Sequence, residues 1–512
     1  MSAPSPSAPQ NVPVWRAWPA FVLVAVSYLY AFPYFEKLRS ANEMPRILQT
    51  QEFVDKGRLW LDERRADMSS QFDTSFGPDG HQYPNKAPGP SFVAIPVYSA
   101  AKALGARTLR DFTWAFRVFA VTLPALLFLP FFYRMTGHFT DDLRARRTAL
   151  VAYALGSPAW VYAILFMSHQ LAAVCAGAAF LVAVPLCRQR LRRPKLGAAG
   201  VGLFAAAAVM MDYQSAVVAA LVGLYVLIVG RERVRNGGYA ILGAAPVVVL
   251  LGLYHYVCFG SPLRTGYHYS VDEVTRKGFM GIVGLSAPSA LSTTFLPSNG
   301  LFVLSPWLLL AFVGAFAIFK DAAWRRRAGA EALLCLAVFV SYLLFLSALD
   351  PFMARAGWTV GPRYLTVSLP FAAWLSCAGF AFVFKHVAAR VAALGAVVAS
   401  VIIYATAVLT YPHWPDRLQN PLYELSFRLL QSGRSVHSLG HLMGLPGVAA
   451  VVPLYACALV ALAWAFPRVD GRKGIAMAYV LGVAVVGAYA LFPGSGAYAE
   501  QAFSFVMGQW EP

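Results

Sequence analysis

Residues 148–187 read TALVAYALGSPAWVYAILFMSHQLAAVCAGAAFLVAVPLC, without a single Asp, Glu, Lys or Arg. A helix rises about 1.5 Å per residue, so about 20 apolar residues cross a bilayer core of about 30 Å. The stretch therefore holds two spans, 148–167 and 170–187, joined by a turn at Ser168 and His169. Arg144, Arg146 and Arg147 precede it and RQRLRRPK follows at 188–195. Basic residues at both ends of a hairpin and none at its turn follow the positive-inside rule, so the ends lie inside and the turn outside.

Outward from this hairpin, similar runs recur along the chain. Thirteen spans are expected, at 15–35, 113–134, 148–167, 170–187, 196–212, 214–230, 237–259, 300–319, 331–349, 364–384, 391–411, 445–466 and 474–493. The expected fold is an all-α integral membrane bundle, with a membrane domain over 15–493. The 512 residues are 58% hydrophobic and only 13% charged, against about 45–50% apolar and about 25% charged in soluble domains. That balance excludes a secreted protein, a cytosolic enzyme and a nucleic-acid binder.

Topology accounts for the net charge of +18. With the N-terminus inside, inner segments hold 22 Lys and Arg against 6 Asp and Glu, and outer segments 20 against 18. The Pro-rich run Pro88–Leu104 would invert every later loop if it spanned, so it is read as an interfacial or re-entrant helix on the outer face. Substantial outer segments are then 36–112, 260–299, 350–363 and 412–444, with an outer C-terminal tail at 494–512 and an uncharged inner tail at 1–14. The first span has no cleavage-like site after it and is expected to be retained. The six cysteines lie in or beside apolar runs and form neither a disulfide framework nor a zinc spacing.

Asp, Glu, Lys and Arg are absent from the span interiors, with Asp212 and Arg117 near the outer ends of theirs, which argues against ion-coupled transport, since such groups near the midplane mark ion pathways. Polar residues collect at the outer span ends instead: His169, Asp212 with Tyr213, Asn299, and Arg363 with Tyr364. The first outer loop adds Glu43, Arg46, Asp79, His81 and Lys86. Each has a plain alternative. Glu43 opens an amphipathic stretch, 42–63, whose charged face water alone would explain. Lys86 suits a headgroup anchor, and Arg363 with Tyr364 an interfacial pair. Their convergence on one face is what points to chemistry there.

Three segments carry a family resemblance: ANEMPRILQTQEFVDKGRLWLDE (41–63), DGHQYPNKAPGPSFVAIPVY (79–98) and GWTVGPRYLTVSLPF (357–371). They resemble the GT-C class of polyprenyl-phosphate-sugar-dependent glycosyltransferases, of the family 39 type that includes protein O-mannosyltransferases and lipid A aminoarabinose transferases. The resemblance implies a GT-C bundle of about 13 spans, with juxtamembrane helices in a large first outer loop. It further implies a lipid-phosphate sugar donor and a glycan, lipid or protein acceptor at the outer face; the short loops and the lack of a eukaryotic retention signal make a bacterial inner membrane the expected location, with that face periplasmic. Glu43 matches the catalytic base, with Asp79 in reserve, although the usual Asp-Glu pair reads Asn42-Glu43 here. Lys86 and Arg363 match partners of the donor phosphate. Arg46, His169, Asp212, Tyr213, His268 and Tyr364 are weaker substrate-contact candidates. No metal-ligand spacing stands out, and dependence on a divalent metal stays open. The rival readings are an O-antigen ligase or polymerase, whose functional loop normally comes late, and a lipid-linked-sugar flippase or other transporter.

Overall fold

The computed structural model describes residues 14–354, 357–466 and 471–510. The expected inner tail lies outside them except for Val14. Among the described residues, nine helices are long and apolar enough to cross a bilayer: Leu109–Phe139, Ser168–Cys187, Pro194–Met211, Arg233–Phe259, Ala322–Ala348, Arg363–Val383, Val387–Leu409, Gly447–Ala465 and Lys473–Leu491. Three shorter apolar helices, Val14–Tyr30, Tyr213–Val229 and Pro306–Lys320, take up further expected spans. The protein is an all-α, multi-pass membrane protein.

The remaining expected span, 148–167, is not one helix. It divides into Leu143–Leu155 and Pro158–Ala163. Gly156 ends the first piece. Ser157 then caps the second through its hydroxyl, which accepts from Ala159 N at 3.2 Å, and Pro158 takes the first helical position, where its missing N–H costs nothing. The break is buried against neighbouring helices, where irregular backbone is tolerated at membrane depth.

Between lipid-facing helices the packing rests on small residues. A Cβ on Gly202 would stand 1.8 Å from the Ala240 carbonyl oxygen, and one on Gly243 1.9 Å from that of Ala199. The two glycines let Pro194–Met211 and Arg233–Phe259 approach backbone to backbone, the usual means of helix association in lipid. Arg363–Val383 is the most enclosed span, with 89% of its apolar window buried, against 17% for Arg233–Phe259 at the periphery.

The two ends of Ser168–Cys187 differ in character. Beside Arg188, at one end, the fully buried Glu331 accepts from Arg188 Nε and Nη2 (2.9 and 2.7 Å) and from the Tyr225 hydroxyl (2.7 Å). Beside His169, at the other end, the long loops gather. There Met44–Lys56 lies as a largely buried helix, shorter than the amphipathic stretch 42–63, and Asp62–Asp67 forms a separate 3-10 turn. Pro88–Leu104 is realised as the helix Gly89–Ala103 with Pro96 inside it. Ala31–Phe32, after the first span, pairs antiparallel with His437–Ser438. Within the expected C-terminal tail, Ala497–Gly508 is helical, and Trp510 packs edge-on against Phe35.

Candidate active site

A short hairpin builds the centre of the site. Thr74–Phe76 pairs antiparallel with Gln82–Pro84 around the turn Gly77-Pro78-Asp79-Gly80. Gly80 takes φ +82°, a left-handed conformation glycine adopts without strain. The pairing extends one step further, as Asn85 N donates to Asp73 O at 3.1 Å. Asp73 and Lys86 thus flank the hairpin's open end, and Lys86 Nζ lies 3.2 Å from Asp73 Oδ1.

Two neighbouring segments fix this pair. Asn42 Nδ2 donates to Asp73 Oδ2 at 3.0 Å. Arg46, one helical turn on, donates to both oxygens of Asn42, at 2.6 Å for the backbone carbonyl, so the amide of Asn42 must turn its NH2 toward Asp73. On the other side, Gly266 sits where a Cβ would meet Asn85 Cα at 2.5 Å. That close approach brings the Tyr267 ring to 4.9 Å from the Lys86 ammonium, a cation–π contact.

Arg363 enters from the start of its span, 5.2 Å over the Tyr364 ring. Asn42, Asp73, Lys86, Arg363, Tyr364 and His413 line a common cavity of about 500 Å³. Exposed Phe72, Phe352 and Phe505 line it as well. Arg46 Nε and Arg363 Nε are buried and have no hydrogen-bond partner among the described residues, an arrangement that favours an anion.

Electrostatics follow the geometry. Burial alone would raise the Asp73 carboxyl, but Lys86, Arg363 and Arg46 outweigh it and hold the group below its usual range. Burial would likewise lower the Lys86 ammonium, but Asp73 outweighs it and lifts the group above its ordinary value. Both are charged at neutral pH. For His413 burial prevails over the attraction of Glu43, and its pKa falls to about 4.

The expected site residues divide between this cavity and other places. Lys86 comes together on its wall with Arg363 and Tyr364, which are far from it in sequence. Arg46 supports the wall from behind. Asp212 accepts from His169 Nδ1 (2.7 Å) and Gln214 Nε2 (3.0 Å), and the His169 ring meets Tyr364 edge-on at 5.5 Å, so this pair backs the wall. Tyr213 shares a hydrogen bond with His255 (2.8 Å) beyond the Tyr267 ring. His268 is exposed in the turn with Thr265. Asp79 is exposed on the hairpin turn and accepts from the Tyr83 hydroxyl at 2.7 Å.

Glu43 stands apart from this cavity. It is 2% exposed, held by Arg117 Nε and Nη2 (2.8 and 2.7 Å) and by Phe166 N (2.5 Å), and absent from the cavity wall. Among the described residues three carboxylates stand on the wall, Asp73, Asp272 and Asp416, and the one paired with Lys86 is Asp73, which sequence reasoning missed. The turn signal Gly-Pro-Asp-Gly after FDTSF would have indicated a hairpin, and with it the meeting of Asp73 and Lys86. Among the described residues no group of three or more His, Cys, Asp or Glu is placed to hold a metal ion.

No protein-family model matches the chain, and no curated protein does. Among solved structures the chain is similar to ArnT from Cupriavidus metallidurans in the apo state, with TM-score 0.48 and 15% identity over 93% of this chain and 77% of that one. It is similar to ArnT bound to undecaprenyl phosphate, with TM-score 0.47 and the same identity and coverage. It is also similar to the archaeal oligosaccharyltransferase AglB from Archaeoglobus fulgidus, with TM-score 0.44 and 12% identity over 96% of this chain and 59% of that one.

Proposed function

We propose that the protein is an integral membrane glycosyltransferase of the GT-C type. Its donor is a sugar on a polyprenyl phosphate, and its acceptor is a hydroxyl or phosphate of a lipid, glycan or protein at the outer face. One observation carries this reading. Lys86 and Arg363 come from opposite halves of the sequence, yet both line one cavity at the loop-bearing end of an apolar bundle.

The chemistry suits that placement. A lipid phosphate leaving the anomeric carbon gains negative charge in the transition state. Cations already fixed at its oxygens stabilise that charge without reorganising, and more strongly where water is excluded. Arg363 can grip two phosphate oxygens through its guanidinium, while Lys86 acts as a point charge. The polyprenyl tail, apolar throughout, lies between spans. An acceptor oxygen attacking from the side opposite the phosphate displaces it in one step with inversion at the sugar.

Sugar transfer by the purified protein in detergent tests the reading. Polyprenyl-phosphate sugars radiolabelled in the sugar are supplied with an envelope extract as the source of acceptor. Label moves with wild type and fails to move with Lys86→Ala. If no donor is consumed while a control transferase works, the reading is wrong, and lipid-linked-sugar flux in liposomes becomes the relevant assay.

A further inference from the structure

Resting on that transferase reading, we infer that the acceptor is a hydroxyl and that Asp73 is the catalytic base, taking the hydroxyl proton as the glycosidic bond forms. The carboxylate meets the cavity directly. Asp73 keeps 16% of its side-chain surface exposed, against 2% for Glu43. Two further carboxylates, Asp272 and Asp416, line the cavity. Asp272 has one oxygen committed to capping the helix Glu273–Arg276, where it accepts from Val274 N at 3.0 Å. Of the three, Asp73 is the one in ion-pair contact with Lys86 among the described residues.

Glu43 cannot serve in the same way. Its Oε1 accepts from Arg117 and from Phe166 N, and its Oε2 from Arg117. Turning either oxygen toward a substrate would strand the Arg117 guanidinium inside the protein, where an unpaired charge is heavily penalised. Asp73 faces no such constraint. Its Oδ2 is held by Asn42, which fixes the carboxylate plane, and among the described residues its Oδ1 is held by the Lys86 ammonium alone. A donor phosphate arriving at Lys86 competes for that ammonium and loosens its hold on Oδ1. The basic lone pair is thus exposed once the donor is in place.

The step balances. The acceptor oxygen forms its bond to the anomeric carbon while the bond from that carbon to the phosphate oxygen breaks. The bonding pair leaves with the phosphate and is stabilised by Lys86 and Arg363. The acceptor proton passes to Asp73 Oδ1, and the resulting carboxylic acid returns it to solvent through the cavity mouth. An attacking hydroxyl becomes strongly acidic only as its new bond forms. A carboxylate of ordinary or lowered basicity is therefore a sufficient acceptor, provided it is in hydrogen-bond reach at that moment.

The test uses the full-length protein in detergent with two readouts: binding of polyprenyl phosphate, and transfer of label from the radiolabelled donor. Asp73→Asn is expected to bind polyprenyl phosphate within about threefold of wild type and to lose transfer by roughly 10²–10⁴-fold, the span of general base catalysis. Asp73→Glu should recover part of the rate. Retention of donor binding shows that the variant is folded. Transfer by Asp73→Asn within tenfold of wild type overturns the assignment and leaves the transferase reading standing. Loss of donor binding matching that of Lys86→Ala also overturns it, because Asp73 would then act by positioning Lys86. If Glu43→Gln melts like wild type, binds donor and fails to transfer while Asp73→Asn transfers, the role returns to Glu43. If wild type transfers nothing from any donor while the control transferase does, the transferase reading and this assignment fall together.

Discussion

Glu43 and Arg117 form a two-pronged ion pair inside the protein, at 2.8 and 2.7 Å, and neither lines the cavity that holds Lys86 and Arg363. Arg117 reaches across from the Leu109–Phe139 span and also donates to the Pro33 carbonyl at 3.0 Å. The pair therefore ties the exit of the first span, the start of the Met44–Lys56 helix and the next span together.

Removing one partner leaves the other charged and buried, which costs about 3–5 kcal/mol. Glu43→Ala and Arg117→Ala should each lower the unfolding temperature in detergent markedly. Replacing both by Leu and Met should recover much of the loss, since apolar packing can substitute for a buried pair. Thermal unfolding followed by tryptophan fluorescence checks this. A double variant as unstable as either single one would argue that the pair contributes more than mutual neutralisation.

Lys86 and Arg363 should fail in distinguishable ways. Losing one preorganised contact to a developing oxyanion costs about 2.7–4 kcal/mol, or roughly 10²–10³ in kcat. Lys86→Ala is expected to show that loss. Arg363→Lys keeps the charge but not the fork, and an intermediate loss is expected. Single-turnover transfer at saturating donor separates these effects from weaker binding. An Arg363→Lys variant with full activity would show that point charge alone suffices there.

The sequence made most of the bundle readable because spans announce themselves locally, by length and apolarity. The Pro88–Leu104 helix was readable from its short apolar run, realised as Gly89–Ala103. The broken span at Gly156 was harder, because a buried break looks like continuous apolar sequence. The site was readable only in part. Lys86 and Arg363 stand in recognisable motifs, but the partnership of Glu43 with Arg117 spans 74 residues and leaves no local trace. Asp73 sits in the bland segment SSQFDTSF, and only the pairing of the hairpin gives it Lys86 as a neighbour.

Gly266 tests how closely the site depends on the loop that covers the hairpin. An added Cβ would meet Asn85 Cα at 2.5 Å and its carbonyl oxygen at 2.7 Å, both backbone atoms that cannot turn aside. Gly266→Ala should therefore push the Tyr267 ring away from Lys86. Overpacking of this kind costs about 1–3 kcal/mol. A raised KM for donor with a modest fall in unfolding temperature is expected. Unchanged KM would mean that the cation–π contact with Tyr267 does not help to place Lys86.

His413 gives the fold a pH dependence with a defined sign. It is buried beside Glu43 and Arg117, and its pKa falls from the ordinary value of 6.5 to about 4. Between those values the unfolded chain carries the proton and the folded protein does not. Stability contributed by the neutral ring is therefore fully present above about pH 6.5 and is lost as pH falls toward 4, with a limiting slope of about 1.4 kcal/mol per pH unit. Asp73 and Glu43, whose folded pKa values are also lowered, lose their contributions only as pH falls below the ordinary carboxylate range. The interval from pH 6.5 to 5 thus isolates histidine from the carboxylates. Denaturant unfolding of wild type and His413→Gln across that interval should show a steeper loss in wild type. Parallel curves would mean that His413 titrates in the folded protein much as it does in the unfolded chain, by drawing a proton into the cavity beside Glu43.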